Sequence, residues 1–241
     1  MLVDDAWSSE RARAGIAGIV GDTEDAFDDG WLPHARDLLE GEDASVRRRT
    51  LYEGGAGVVD VLYRLAGRGF VELRRRYVSY LERSLEAAPD YPDEQPQRSL
   101  WMGETGIRLV LSRVAPSRDN LERLSELIAT NGEDVRCDLM WGSPGTILAG
   151  RELGLDVTGS IEWLRRRRDS DGLWTQELYG QRSRVIGPAH GFAGCVLALG
   201  ETAEAVSETL EPFAVEEDGL VNWLPYAEMQ SLVAHRDGQI R

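Results

Sequence analysis

The sequence predicts an all-α protein, and in particular an α/α toroid, in which helical hairpins repeat around a common axis. Three observations predict this fold. A Gly-x-x-Gly motif occurs four times in matching contexts, each copy precedes an apolar stretch with helical spacing, and no segment shows the sustained period-two alternation of a strand. The motifs begin at positions 54, 103, 142 and 191, so their starts are 49, 39 and 49 residues apart.

The predicted helices follow a regular order along the chain. Apolar side chains recur at helical spacing after each motif, as Val58, Val61, Leu62 and Leu65 do after the first. Amphipathic helices with arginine-rich faces are predicted between the motifs, and one further helix precedes them all. The expected ranges of these helices are Ala6 to Ala26, Phe70 to Leu85, Asn120 to Ala129 and Ser160 to Arg168.

The motif glycines are expected at the axis of the repeat. A residue without a Cβ atom lets backbones approach closely where helices converge. The unpaired amides of each first helical turn would then be directed toward a central cavity. A second periodic element agrees with the repeat. Asp171-Gly172 and Asp218-Gly219 are 47 residues apart, and each is a turn signal followed by a tryptophan that would pack under the rim of the ring.

Composition predicts a packed globular protein and disfavours some partners. With 241 residues the chain is long enough for one large domain or two small ones, and its apolar fraction of 42 % is typical of a folded protein. The repeat favours a single toroid domain over residues 1–241. The formal net charge of −15 disfavours nucleic acid and anionic membranes as partners. The N-terminus lacks the features of a signal peptide, and no apolar run approaches the ~20 residues of a membrane span. A cytoplasmic location is therefore expected.

His190 and Asp138 are the candidate catalytic residues. His190 stands directly before the fourth motif, and a place near a helix N-terminus favours the neutral imidazole, which suits proton exchange. A capping or core histidine is the alternative. Asp138 lies four residues before the third motif, where a carboxylate is also expected simply to cap the helix. The equivalent positions in the other repeats are Thr50, Ser99 and Gly187, so the carboxylate is particular to this repeat.

Other reactive or charged residues have simpler interpretations. Cys195 is expected to be a small core residue, and Cys137 is a nucleophile candidate without a neighbouring base. The run Arg165 to Arg168 is expected to be a solvated helix end, with docking of an acidic peptide as the alternative. Neither the two cysteines nor the histidines His34, His190 and His235 show a usual zinc spacing, so no metal ligand is predicted.

The glycine motifs resemble those of a known family. Leu51 to Gly57, Trp141 to Gly145 and Gly187 to Gly194 are closely similar to motifs of the lanthionine synthetase C-like proteins. The resemblance spans almost the whole chain, and the histidine-containing motif is its most specific part. It implies a toroid of about six or seven hairpins, of which this chain carries four glycine motifs.

The resemblance also implies a chemistry. Family members add a thiol, from a peptide cysteine or from glutathione, to a dehydrated serine or threonine and form a thioether. His190 matches the acid/base histidine of the family, and Asp138 matches the aspartate beside it. Zinc is the cofactor that the resemblance implies. In the family, two cysteines and a histidine bind the zinc, and no segment of this chain matches the motifs that carry them. Without zinc the substrate thiol stays mostly protonated, so the chain alone is expected to be at most a poor thioether synthase.

Two alternative functions remain open on the sequence alone. The first is a non-catalytic toroid that binds a peptide. The second is another α/α toroid enzyme such as a glycosidase, with Asp138 and Glu104 as its two carboxylates. The spacing of the repeat places a fifth glycine pair at or just beyond Arg241. The sequence is therefore expected to be the N-terminal part of a longer toroid.

Overall fold

The computed structural model describes residues 6–34, 36, 43–91 and 97–227. The fifth glycine pair expected near Arg241, and His235, lie outside these residues. The helices are α1 Ser9–Asp25, α2 Gly55–Gly67, α3 Val78–Glu86, α4 Glu104–Val114, α5 Arg118–Asn131, α6 Ser143–Leu153, α7 Thr158–Arg166, α8 Phe192–Leu199 and α9 Ala203–Leu210. A short 3-10 helix, Glu211–Phe213, follows α9. The mostly helical character predicted from the sequence is confirmed.

Two short hairpins correct the prediction of a purely helical fold. Strands β1 Gln176–Leu178 and β2 Gln181–Ser183 form one antiparallel pair, and β3 Ala214–Glu217 and β4 Leu220–Trp223 form the other. Each strand has only three or four residues, which is too short for a period-two pattern to stand out. The predicted Asp-Gly turns are present: Gly172 and Gly219 both have positive φ. Trp174 is buried as expected, but Trp223 remains 41 % exposed.

One predicted helix is much shorter than expected. The helix expected from Phe70 begins only at Val78, because the backbone amide of Arg74 is bound elsewhere. That amide donates to both carboxylate oxygens of the buried Glu24, at 3.0 and 3.2 Å, and Tyr77 also donates its hydroxyl to Glu24 at 3.2 Å. These bonds fasten the segment before α3 to the end of α1. Although burial alone would raise the pKa of Glu24, the hydrogen bonds from Arg74 and Tyr77 hold it below its ordinary value.

The four glycine-led helices pack in chain order. Helix α2 contacts α4, α4 contacts α6, and α6 contacts α8. Helices α3, α5 and α7 form a second series that packs against them, with α5 lying against both α4 and α6. Arg113 of α4 links the first three glycine-led helices, because it forms ion pairs with Asp60 of α2 and Glu152 of α6.

The last glycine of each motif makes the same close contact. A Cβ atom on Gly57, Gly106, Gly145 or Gly194 would collide with the carbonyl oxygen of the residue six positions earlier, which is Leu51, Leu100, Leu139 or Pro188 respectively. Three of these glycines also meet the preceding repeat. Leu51 lies 2.7 Å from the Cβ position of Gly106, Leu100 lies 3.0 Å from that of Gly145, and Leu139 lies 2.7 Å from that of Gly194. Each loop therefore packs on the next motif, as expected for converging helices.

The first and last glycine-led helices expose positions that the middle helices bury. Val61 of α2 is 54 % exposed, whereas its equivalents Val110, Ala149 and Ala198 are buried. At the other end, Leu197 of α8 is 58 % exposed, whereas the equivalent Leu109 of α4 is buried and Leu148 of α6 is partly buried. A groove of about 840 Å³ runs beside Val61 and is bordered by residues of α1 and α2. Among the residues described, no helix is both long enough and apolar enough to cross a membrane.

We predict that Gly145→Val and Gly194→Val each destabilise the fold by about 1–3 kcal/mol, because the added side chain overpacks a backbone contact. Gly18→Val is the matched control, since a Cβ atom at Gly18 in α1 has no neighbour within 4 Å. Denaturant unfolding measures all three. Equal stability of the Gly194 and Gly18 variants would contradict the account of the repeat.

Candidate functional site

The structure brings the two candidate catalytic residues together although 52 residues separate them in the sequence. Their segments lie side by side because the backbone amide of Leu139 donates to the carbonyl oxygen of Ala189 at 3.1 Å. Asp138 directly precedes Leu139, and His190 directly follows Ala189, so this backbone bond brings the two side chains close together. The Nδ1 atom of His190 lies 2.6 Å from Oδ2 of Asp138. The pair therefore forms where the loops of the third and fourth motifs meet.

Asp138 uses its two carboxylate oxygens for different purposes. Oδ1 accepts the backbone amides of Trp141 and Gly142, both at 2.9 Å, and so caps the loop that leads into α6. In the second motif the equivalent Ser99 accepts the amide of Met102 at 3.3 Å. One oxygen of Asp138 thus provides the cap that a serine hydroxyl provides in another repeat. The second oxygen, Oδ2, is the additional group, and it holds His190.

The electrostatics of the pair follow from its burial. Asp138 has no exposed surface, so no bulk water competes for its carboxylate, whereas the His190 side chain is 29 % exposed. A carboxylate accepts hydrogen bonds, so the neutral imidazole carries its proton on Nδ1 and its lone pair on Nε2. His190 therefore combines a fixed tautomer with an accessible ring. This is the arrangement by which a histidine takes up and returns protons.

The loop before α8 determines where His190 stands. Gly191 has a φ angle of 153°, a backbone conformation that residues with a Cβ atom rarely adopt. A Cβ atom at this position would also collide with the carbonyl oxygen of Val185. The same carbonyl accepts the amide of Phe192 at 2.9 Å. The expectation that the first amides of these helices are unpaired is therefore wrong for α8. It is wrong for α2 and α4 as well, where the amides of Gly55 and Glu104 also donate to carbonyls seven residues earlier.

Sequence reasoning missed two aromatic residues at the pair. Tyr179, between β1 and β2, packs its ring edge-on against the imidazole of His190, with centroids 6.1 Å apart. Its hydroxyl accepts the indole N–H of Trp141 at 3.2 Å. Trp141 also packs against Tyr91, with centroids 6.4 Å apart. Gly180 was the available turn signal, but the flanking strands are too short to support it and tyrosine is unusual before a turn glycine.

The two cysteines are unsuited to nucleophilic chemistry. Both are fully buried, which confirms the prediction for Cys195. Burial raises the pKa of the Cys137 thiol to about 12 and raises that of Cys195 well above its ordinary value. The Cys195 thiol donates to the carbonyl of Cys137 at 3.0 Å. The suggestion that Cys137 is a nucleophile therefore fails, because almost none of it is thiolate near neutral pH.

Two charged groups singled out in the sequence have structural partners. Glu104 forms ion pairs with Arg108 and Arg123; burial opposes its charge, but these arginines hold its pKa below the ordinary value. A carboxylate bound in this way does not suit the catalytic pair of a glycosidase. Arg168, in the basic run, pairs with Glu201 and stacks over the ring of Trp174. It is therefore part of the packing and not a free docking cation.

The zinc that the family resemblance implies does not fit the residues that the structure describes. Among them, no group of three or more histidine, cysteine, aspartate or glutamate side chains is placed to hold a metal ion. The two thiols are buried and keep their protons, and Nδ1 of His190 is bound to Asp138.

Comparison with known proteins adds no assignment. No protein-family model matches the sequence, and no curated protein matches it. Any function must therefore be argued from the glycine motifs and from the geometry of the pair formed by Asp138 and His190.

We predict that Asp138→Ser and Asp138→Ala separate the two roles of this carboxylate. The serine can still cap the loop as Ser99 does, whereas the alanine leaves the buried amides of Trp141 and Gly142 unpaired. The alanine variant should therefore lose about 1–3 kcal/mol more stability than the serine variant. Both should lose the fixed tautomer of His190. Denaturant unfolding and ¹⁵N NMR of the imidazole measure these effects, and equal stability of the two variants would refute the capping role.

Proposed function

We propose that this chain is an α/α toroid protein of the lanthionine synthetase C-like kind. We further propose that His190, held by Asp138, transfers the proton when a thiol adds to a dehydrated serine or threonine residue. The observation that carries the chemistry is the 2.6 Å pair between Nδ1 of His190 and the carboxylate oxygen of Asp138 that is not needed for capping. His190 lies within one of the motifs that carry the family resemblance, and Asp138 lies three residues before another.

The serial packing supports a toroid. The four glycine-led helices repeat one contact, between a motif glycine and the loop carbonyl six residues before it. Exposed Val61 at one end of the series and exposed Leu197 at the other are the positions that neighbouring repeats cover in the middle. A ring in which further hairpins join these ends would bury both side chains. Closure of the ring is part of the proposal.

The proton transfer proceeds in two steps. Nε2 of His190 takes the thiol proton, and the thiolate sulfur bonds to the β-carbon of the dehydrated residue. The π-electron pair moves to the α-carbon and is shared with the adjacent carbonyl oxygen. The proton on Nε2 then passes to the α-carbon, which leaves a thioether and a neutral imidazole. Asp138 stabilises the imidazolium between the two steps, because its buried carboxylate lies on the Nδ1 side.

Two thiols suit this site, a cysteine of the same peptide or glutathione. A free thiol with a pKa of ~8.5 is only a few per cent ionised at neutral pH, so a histidine base that assists its ionisation matters. If the pair of Asp138 and His190 transfers no proton, the protein is a toroid that binds a peptide without catalysing thiol addition. Glutathione addition to a dehydroalanine peptide distinguishes a reacting toroid from one that only binds the peptide.

We predict that His190→Asn lowers the protein-dependent rate of glutathione addition to a dehydroalanine peptide by about 10² to 10⁴. The matched control is His34→Asn, which replaces a histidine away from the pair whose ring accepts the backbone amide of Arg36. Product formation is followed by mass spectrometry with the 241-residue chain. Full activity of the His190 variant would remove the proposed role. Absence of any addition by the wild-type chain, with the peptide bound, would favour the non-catalytic alternative.

A further inference from the structure

Tyr179 occupies a backbone conformation that tyrosine rarely adopts. Among the described residues, four that are not glycine have positive φ: Asp29, Cys137, Tyr179 and Asp218. Aspartate tolerates this conformation, whereas a cysteine or a bulky aromatic residue is strained in it. The two strained residues are Cys137, which directly precedes Asp138, and Tyr179, whose ring contacts His190. Within the described residues, backbone strain at non-glycine positions is therefore concentrated at the candidate site.

The second hairpin shows what this turn normally requires. Tyr179 and Gly180 join β1 to β2 with φ values of 51 and 72, and Asp218 and Gly219 join β3 to β4 with values of 53 and 75. Two consecutive positive φ values are typical of the type I′ turn, whose first central position favours asparagine, aspartate or glycine. Asp218 follows this preference, and Tyr179 departs from it. Tyr179 is also 66 % exposed, so little burial offsets the strain.

The contacts of Tyr179 tie it to the pair from two sides. The indole N–H of Trp141 donates to the Tyr179 hydroxyl, and the backbone N–H of the same tryptophan donates to Asp138. The Tyr179 ring in turn packs against His190, which is bound to Asp138. The contacts therefore form a closed ring of four residues: Tyr179, Trp141, Asp138 and His190. Displacement of Tyr179 would remove the aromatic ring that packs against the imidazole.

The hydroxyl of Tyr179 still has a proton to donate. One of its lone pairs receives the indole N–H, and no acceptor for its proton is found in the part of the chain that the structure describes. A cavity of about 360 Å³ opens beside Tyr179 and Trp141, and Arg136 and Glu177 also line it. The ring of Tyr179, which packs against His190, therefore carries a hydrogen-bond donor at the border of this cavity. Such a donor fits a substrate that has a carbonyl oxygen beside its reacting carbon.

We propose that Tyr179 binds the substrate, donating its hydroxyl proton in a hydrogen bond to the carbonyl oxygen adjacent to the carbon that His190 protonates. The inference rests on the proposed function for the identity of that carbonyl, the amide of the dehydrated residue. When the sulfur bonds to the β-carbon, the displaced electron pair is shared with this oxygen. The tyrosine stabilises the developing negative charge without giving up its proton, and the α-carbon receives its proton from Nε2 of His190.

Three variants of the full chain test the proposal. Tyr179→Phe keeps the ring and removes the hydroxyl, Tyr179→Asp installs the turn residue of the second hairpin, and Asp218→Tyr makes the reciprocal change away from the site. Each is assayed for glutathione addition to N-acetyl-dehydroalanine methylamide, for Tm, and for the NMR signals of the His190 ring. Binding of the saturated analogue N-acetyl-alanine methylamide is followed by shifts of the same signals.

The expected pattern is a gain of stability with a loss of activity. Tyr179→Asp should raise Tm by about 2–4 °C, shift the His190 signals and abolish binding of the analogue. Asp218→Tyr should lower Tm by a similar amount and leave the rate unchanged. Tyr179→Phe removes the acceptor of the Trp141 indole N–H, so it should lower Tm by about 2–4 °C. It should retain the His190 signals but lower the rate about 10²-fold, the cost of losing one donor to a developing oxyanion.

Separate outcomes overturn the proposal and the function on which it rests. A wild-type rate and wild-type binding of the analogue in Tyr179→Phe, with His190→Asn inactive, would refute the role of Tyr179 and leave the proposed function intact. Hydroxyl-dependent binding of the analogue without any thiol addition would support Tyr179 and refute the proposed function. If the wild-type chain neither binds the analogue nor reacts, the role of Tyr179 is refuted as well.

Discussion

The contact between a motif glycine and a loop carbonyl is the constraint on which this structure depends. Each of Gly57, Gly106, Gly145 and Gly194 lies against the carbonyl of the residue six positions before it, where a Cβ atom has no room. This contact closes the loop onto its own helix and lets the next loop approach. Leu139 can then pack on Gly194, and its amide can reach the carbonyl of Ala189. A larger side chain at one of these glycines would separate neighbouring motifs.

The candidate site is a consequence of that approach. Asp138 and His190 flank the bond between Leu139 and Ala189, so the packing of two motifs also sets the distance between carboxylate and imidazole. The buried carboxylate is stabilised by the backbone amides of Trp141 and Gly142 whether or not His190 is present. The fold thus holds an anion in place for structural reasons, and the half-buried histidine beside it forms a hydrogen bond with that anion.

The sequence predicted most of the helices and the close approach at the motif glycines, because both depend on local spacing that repeats along the chain. Helix α9 was not predicted. Asp138 and His190 were candidates because each precedes a motif and matches a residue of the family that the motifs resemble. It did not predict the hairpin that carries Tyr179, since three-residue strands carry no periodic signal. The late start of α3 also escaped prediction, because it follows from a bond between Arg74 and Glu24, 50 residues away. The paired amides before Gly55, Glu104 and Phe192 depend on loop conformation, which helix propensity does not report.

The central claim is that a histidine fixed by Asp138 delivers the proton to the α-carbon of the substrate. The configuration of that carbon tests it most directly, because a proton delivered from one fixed position reaches one face of the planar intermediate. We would carry out glutathione addition to a dehydroalanine peptide in D₂O with the full chain and determine deuterium content and configuration of the product. The account predicts one deuterium at the α-carbon and a single configuration. Equal amounts of both configurations would contradict it.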